Sequence, residues 1–113
     1  MAQLEEVGRD ALWEKIERAD DFVLVDALAP ISYAASHLPG AVSMPPEAVD
    51  ERAAGRIPDR ETEVVVYCAS STCHVSVDVA RRLIELGYRN VHHYSGGKRD
   101  WTQAGLPLEG GRT

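Results

Sequence analysis

The chain has 113 residues, of which 44% are hydrophobic and 27% charged, and its formal net charge is −6. This length predicts one domain, 1–113, with its own core, and the hydrophobic content is too high for an intrinsically disordered segment. The negative charge argues against nucleic acids and anionic membranes as partners, because both carry negative charge themselves.

Short apolar runs alternate with amphipathic stretches along the whole chain. The runs predict buried strands at 22–25 and 64–67 and weaker strands at 41–44 and 91–94. Helices are predicted at 8–19, 30–36, 46–54, 76–86 and 98–104. This alternation predicts an α/β domain with a mostly parallel sheet and helices on both faces. The two ends, 1–8 and 110–113, are expected to fray.

The two cysteines, Cys68 and Cys73, lie close together and belong to no CxxC pair. A disulfide scaffold is therefore not expected, and a reduced, cytoplasmic setting is. The first ten residues are acidic and lack the apolar core of a signal peptide. No apolar run approaches the length of a membrane span.

A loop of small polar residues follows the strand predicted at 64–67. It begins at Cys68 and enters the next helix near Ser76. Ligands of open α/β sheets bind beyond the carboxyl ends of the strands, where this loop lies. Its backbone N–H groups and the positive end of the helix can surround Cys68, which favours the thiolate and an anionic ligand. The spacing equally allows Cys68 to be a small buried apolar residue.

The histidines form no recognisable metal-binding pattern with the cysteines. His37, His74, His92 and His93 match no zinc-ligand spacing, so neither a metal nor another cofactor is expected. His92 and His93 are predicted on opposite faces of a strand.

Five motifs, in order, resemble the rhodanese family over nearly the whole chain. They are a strand ending in aspartate (VLVD, 23–26), a Tyr-x-x-x-His-Leu-Pro-Gly-Ala motif (33–41), a strand that delivers a cysteine (VVYC, 65–68), a helix and turn (LIELGYRNV, 83–91) and a closing segment with a Gly-Gly pair, a tryptophan and AGLP (96–107). Each motif alone is weak, but their order is specific.

The resemblance implies a five-stranded parallel sheet and sulfurtransferase chemistry. Cys68 would take a sulfane sulfur from a donor such as thiosulfate, hold it as a persulfide, and pass it to cyanide, a thiol or a protein acceptor. Asp26 and His37 flank turns near the site and are expected to hold backbone groups there. The residues expected to bind the substrate are those of the loop: Ala69, Ser70, Ser71, Thr72, Cys73, His74 and Ser76.

The active-site loop departs from the common family pattern. It is longer than usual and contains no basic residue, and Ala27 stands where an arginine often follows the aspartate. A subset of the family has a similar long loop that reads Tyr-Cys, four residues, Cys. Cys68 is favoured over Cys73 as the nucleophile, because Cys68 ends the strand and Cys73 has little loop before Ser76 to surround it.

Two other functions remain open. Phosphatases and arsenate reductases on this fold use Cys, five residues, Arg, but His74 occupies the arginine position and an imidazole cannot make the same paired hydrogen bonds. The other alternative is a rhodanese-like module that binds a partner or senses oxidants. Cys73 would then either condense with oxidised Cys68 or pack in the core.

Overall fold

The structure is a computed structural model that describes residues 4–70 and 72–110. Strands and helices alternate, with a short 3₁₀ turn at Pro46–Ala48 before the third helix. The strands are β1 (Glu5–Glu6), β2 (Phe22–Asp26), β3 (Val42–Ser43), β4 (Glu63–Tyr67) and β5 (Val91–Tyr94). The helices are α1 (Arg9–Glu17), α2 (Pro30–Ala35), α3 (Val49–Arg56), α4 (Val75–Glu85) and α5 (Gly97–Gln103).

The five strands form one parallel sheet in the order β1-β5-β4-β2-β3. β4 is the central strand, and its residue Val66 lies opposite Val25 of β2 and His93 of β5. The carboxyl ends of these strands meet at one edge of the sheet, where the loop from Cys68 begins. The predicted α/β class and the five-stranded sheet are confirmed.

Alternation along β4 divides the core between the two faces of the sheet. Val64 and Val66 pack with residues of α3 and α4, whereas Val65 and Tyr67 pack with residues of α1 and α5. Successive strand residues point to opposite faces, so Cys68, which continues the chain after Tyr67, joins the core on the α4 side. The sheet therefore directs Cys68 toward the amino-terminal end of α4.

The predicted fraying of 1–8 is wrong for the part of this segment that the structure describes. Glu5 and Glu6 pair in parallel with His92 and His93, and the N–H of Val7 donates to the carbonyl oxygen of His93 over 2.9 Å. Two glutamates on an edge strand show no apolar run, so the pattern contained no strand signal. Residues 1–3 and 111–113 lie outside the described residues.

The predicted helices all exist, with ends that differ by a few residues. The helix expected at 46–54 is the 3₁₀ turn followed by α3, which continues to Arg56. None of the described helices combines the length and apolar character that a membrane crossing requires.

Candidate active site

Cys68 lies directly after β4 and is buried, with 1% of its surface exposed. Its sulfur is 3.1 Å from Oγ of Ser76 and 3.5 Å from the carbonyl oxygen of Cys73, and both atoms can accept its proton in a hydrogen bond. Burial raises the pKa of Cys68, although the bond to Ser76 acts in the opposite direction. At neutral pH Cys68 therefore rests as a thiol.

Cys73 is half-buried and lies in a cradle of hydrogen-bond donors. Burial by itself raises the pKa of Cys73, but the Cys68 thiol and the backbone N–H groups of Ala69, Val75 and Ser76 bond to its sulfur and lower the pKa overall. Val75 and Ser76 open α4, so their N–H groups have no partner within the helix. Of the two thiols, Cys73 is therefore the one whose pKa is lowered.

This geometry corrects one prediction about the loop. The expectation that Cys73 has too little loop before Ser76 to be surrounded is wrong, because hydrogen bonding from the backbone N–H groups of Ala69, Val75 and Ser76 lowers the pKa of Cys73 despite its burial. The assignment of the transferred sulfur to Cys68 stays a prediction.

The outward-facing carbonyl groups of the loop are bonded to α5. The N–H groups of Lys98 and Arg99 donate to the carbonyl oxygens of Cys68 and Ala69 over 2.9 and 2.8 Å. Gly97 makes this approach possible, because its φ is +66° and a Cβ there would lie 2.5 Å from the Cys68 carbonyl oxygen. These bonds fix the first two carbonyl groups of the loop against α5.

The other residues that were expected to bind substrate differ in how far they are exposed to solvent. Ala69, Thr72 and His74 are exposed, and Ser70 is half-buried with its hydroxyl 3.0 Å from that of Thr72. Ser76 differs from the expectation, since it is fully buried and its hydroxyl contacts Cys68 rather than solvent. Ser71 lies outside the described residues.

Ser76 connects Cys68 to two residues that the sequence analysis missed. Its hydroxyl lies 2.7 Å from Nε2 of His93, and Nδ1 of His93 lies 2.8 Å from Oε2 of Glu6. His93 is only 6% exposed, and a buried imidazole needs such partners. Strand alternation offered a signal, because His93 shares the face of buried Val91, but Glu6 lay in a segment expected to fray.

Asp26 is fully buried at the end of β2 and holds the turn that follows. Its Oδ1 accepts from the N–H of Leu28 over 2.8 Å, and its Oδ2 accepts from the Tyr67 hydroxyl over 2.7 Å. The same hydroxyl accepts from the N–H of Leu38 over 3.0 Å. Asp26 therefore connects three chain segments at the carboxyl edge of the sheet.

His37 stabilises the adjoining segment. Its Nδ1–H donates to the carbonyl oxygen of Tyr33 over 2.8 Å, and its ring stacks on that of Tyr33 at 3.9 Å. Its backbone exchanges two hydrogen bonds with Glu109. These contacts hold neighbouring chain segments together, and they do not involve the loop that contains the cysteines.

A shallow depression of about 260 Å³ lies beside the loop. It brings Arg99 of α5 next to the exposed side of Ser70 and Thr72, so a cation that the loop lacks comes from another element. The lining residues are Ser70, Thr72, Gly96, Arg99, Asp100 and Gln103. Within 4–70 and 72–110, no group of three or more His, Cys, Asp and Glu residues is placed to hold a metal ion.

Comparison with known sequences gives one consistent family. The model described as "Rhodanese-like domain" matches residues 9–104. A sulfurtransferase of Allochromatium vinosum is 29% identical, over 91% of this chain and 92% of that protein. The thiosulfate sulfurtransferase PspE of Escherichia coli is 34% identical, over 67% and 70%. An HTH-type transcriptional regulator of Mycobacterium tuberculosis is 33% identical over 82% of this chain, which spans only 40% of the regulator.

Solved structures of similar fold include two rhodaneses or sulfurtransferases. A thiosulfate sulfurtransferase from Pseudomonas aeruginosa superposes with a TM-score of 0.82 and 28% identity, over 97% of this chain and 21% of that one. A rhodanese with anions from E. coli gives 0.65 and 31%, over 79% and 98%. The BH2092 protein from Bacillus halodurans gives 0.87 at 24% identity, over 95% and 77%, and shows the fold alone.

Proposed function

Because the chain belongs to the rhodanese-like domain family, we propose that it is a sulfurtransferase that carries a sulfane sulfur as a persulfide on Cys68. The observation that carries the proposal is the loop itself. It holds the buried Cys68 sulfur 3.1 Å from Oγ of Ser76 and 3.5 Å from the carbonyl oxygen of Cys73, at the amino-terminal end of α4. Two relatives bear the name sulfurtransferase, which supports the same chemistry.

The proposed reaction transfers one sulfur atom in two steps, first from the donor to Cys68 and then from Cys68 to the acceptor. The Cys68 thiolate attacks the outer sulfur of thiosulfate, the S–S bond of the donor breaks, and sulfite leaves with the bonding electron pair. A thiophilic acceptor such as cyanide or a thiol then attacks the outer sulfur of the persulfide and releases the Cys68 thiolate. Each step exchanges one S–S bond for another bond to sulfur, so the cycle needs no added oxidant or reductant when cyanide is the acceptor.

The position of Cys73 indicates where the transferred sulfur would lie. Although burial raises the pKa of Cys73, hydrogen bonding from the Cys68 thiol and from the N–H groups of Ala69, Val75 and Ser76 lowers it overall, so this position favours a negatively charged sulfur. A persulfide on Cys68 carries its negative charge on the outer sulfur, and that sulfur would lie beside Cys68 in the region that Cys73 now occupies. Because Cys68 is 1% exposed, a donor reaches its sulfur only if the residues around it move.

The anionic donor meets a protein of net charge −6. Arg99 supplies a positive charge beside the loop, although Asp100 lines the same depression, and the amino-terminal end of α4 attracts an anion without a basic side chain. We therefore expect small anionic sulfur donors as substrates, with a protein-bound thiol as a further acceptor.

Intact-mass spectrometry after incubation with thiosulfate tests the proposal. The wild type should gain the mass of one sulfur atom, and cyanide should remove it. Cys68→Ser should show no gain, whereas Cys73→Ser should retain it. The reverse pattern would assign the sulfur to Cys73, and no gain from thiosulfate, polysulfide or a low-molecular-weight persulfide would overturn sulfur transfer.

A redox-sensing module is the second candidate, and the contact between the two thiols favours it. Peroxide would convert the thiolate to a sulfenic acid, which condenses with the neighbouring thiol to a disulfide and releases water. Peptide mapping after mild peroxide treatment should then show a Cys68–Cys73 linkage that a thiol reductant reverses. Equal rates of sulfinic acid formation at Cys73 in the wild type and in Cys68→Ala would exclude this role for the pair.

A further inference from the structure

A continuous line of hydrogen bonds runs from Cys68 to the edge of the sheet. It passes from the Cys68 sulfur to Ser76 Oγ (3.1 Å), then to His93 Nε2 (2.7 Å). From His93 Nδ1 it reaches the carboxylate of Glu6 (2.8 Å). The members come from four different parts of the fold: the active-site loop, α4, β5 and β1.

We propose that Ser76, His93 and Glu6 form a proton relay that takes the thiol proton from Cys68 and returns it. The proton on the Cys68 sulfur moves to Ser76 Oγ while the hydroxyl proton of Ser76 moves to His93 Nε2. The products are a Cys68 thiolate and a His93 imidazolium, and no electrons change hands. Glu6 accepts the Nδ1–H bond, which fixes the tautomer with a free Nε2 and stabilises the imidazolium.

The surroundings of Cys68 explain why such a relay is needed. The site is buried, which opposes a negative charge, and the neighbouring Cys73 adds a like charge when it ionises. The titratable groups in contact with the line, among the described residues, are Cys73 on the loop side and Glu6 on the β1 side. An internal base that becomes positively charged offsets both effects, since the thiolate then forms beside a cation.

Ser76, His93 and Glu6 also resemble the catalytic triad of a hydrolase, but the position of the Ser76 hydroxyl does not fit that role. Ser76 is 0% exposed and its oxygen contacts both the Cys68 sulfur and His93. A nucleophilic serine must face the substrate, whereas this hydroxyl faces a thiol. Ser76, His93 and Glu6 are accordingly positioning and proton-transfer residues for Cys68.

The chain contains a matched control on the opposite face of the same two strands. His92 neighbours His93 on β5, and its Nδ1 lies 3.4 Å from Oε1 of Glu5, the neighbour of Glu6 on β1. Its Nε2 lies 2.8 Å from Oδ1 of Asn90. His92→Gln and Glu5→Gln therefore make the same chemical changes without touching the line to Cys68.

The test measures how the alkylation rate of Cys68 by iodoacetamide depends on pH. It uses the full chain with Cys73→Ser, so that Cys68 is the remaining thiol and Cys73 cannot act as its base. We expect His93→Gln and Ser76→Ala to slow alkylation at pH 7 by about ten- to a hundredfold and to move the profile to higher pH. Glu6→Gln should slow it less, and His92→Gln and Glu5→Gln should leave it unchanged.

Two outcomes overturn the relay: an unchanged profile in His93→Gln, or an equal shift in His92→Gln. Circular dichroism verifies that each variant is folded, and the exposed Glu6 keeps the test decisive if His93→Gln unfolds. In that case unchanged profiles in both Ser76→Ala and Glu6→Gln overturn the relay. The relay rests on Cys68 being the reacting thiol, but the readout is separate from sulfur transfer. A His93-dependent profile without any persulfide would refute the sulfurtransferase and retain the relay.

Discussion

Replacement of Asp26 should weaken the fold more than the chemistry. Asp26→Ala removes the acceptors for the Leu28 N–H and the Tyr67 hydroxyl, both in a fully buried site. A hydrogen bond to a charged group contributes about 1.5–3 kcal/mol, and removal of the buried charge offsets part of the loss. We expect a net loss of about 3 kcal/mol in the free energy of unfolding, with a fall in Tm of about 10–20 °C for a domain of this size.

The measurement is urea unfolding followed by circular dichroism, together with persulfide formation per folded molecule. Asp26→Asn retains an acceptor for Leu28 and should cost about 1–2 kcal/mol, because the donor bond of the Tyr67 hydroxyl is lost. Asp21→Ala, at an exposed position, is the control and should stay within about 0.5 kcal/mol. Unchanged stability with lost persulfide formation would refute this reasoning and place Asp26 in the reaction.

Three further variants or measurements examine the loop. Cys73 should be alkylated before Cys68 at pH 7, because its pKa is lowered while that of Cys68 is raised; faster labelling of Cys68 would contradict this assignment. Gly97→Ala should cost about 2–3 kcal/mol from its left-handed φ and the clash with the Cys68 carbonyl, measured against Gly55→Ala, where a Cβ meets nothing within 4 Å. Arg99→Gln should raise KM for thiosulfate several-fold with kcat unchanged, since it removes only attraction of the anion. Arg89→Gln, at an exposed site away from that depression, should change neither constant.

The sheet could be predicted because the residues that form its centre are unambiguous. The apolar runs of β2 and β4 are buried on both faces, and Val64, Val65 and Val66 are each 0% exposed. In an α/β chain of this length, a continuous apolar run of this kind indicates a strand that is buried on both faces of a parallel sheet. The edge strand β1 was missed because its two residues are both glutamates, which form no apolar run, and its pairing with β5 joins residues far apart in the sequence.

The site could be predicted less completely than the sheet. The sequence indicates that a cysteine ends β4, but it does not indicate which sulfur the loop amides face. That depends on α4 beginning at Val75 and on Lys98 and Arg99 holding the loop carbonyls outward. Likewise, the contact between Ser76 and His93 joins residues 17 positions apart, and spacing alone does not reveal it.

The position of Glu6 bears on how this domain should be trimmed. The region matched to the family begins at residue 9, so a domain excised at that boundary would retain both cysteines, Ser76 and His93. It would nevertheless lose β1, which covers the outer edge of β5 and brings a carboxylate to Nδ1 of His93. The trimmed protein would then present β5 as an open edge and leave its buried imidazole facing water, although every recognisable motif had been kept.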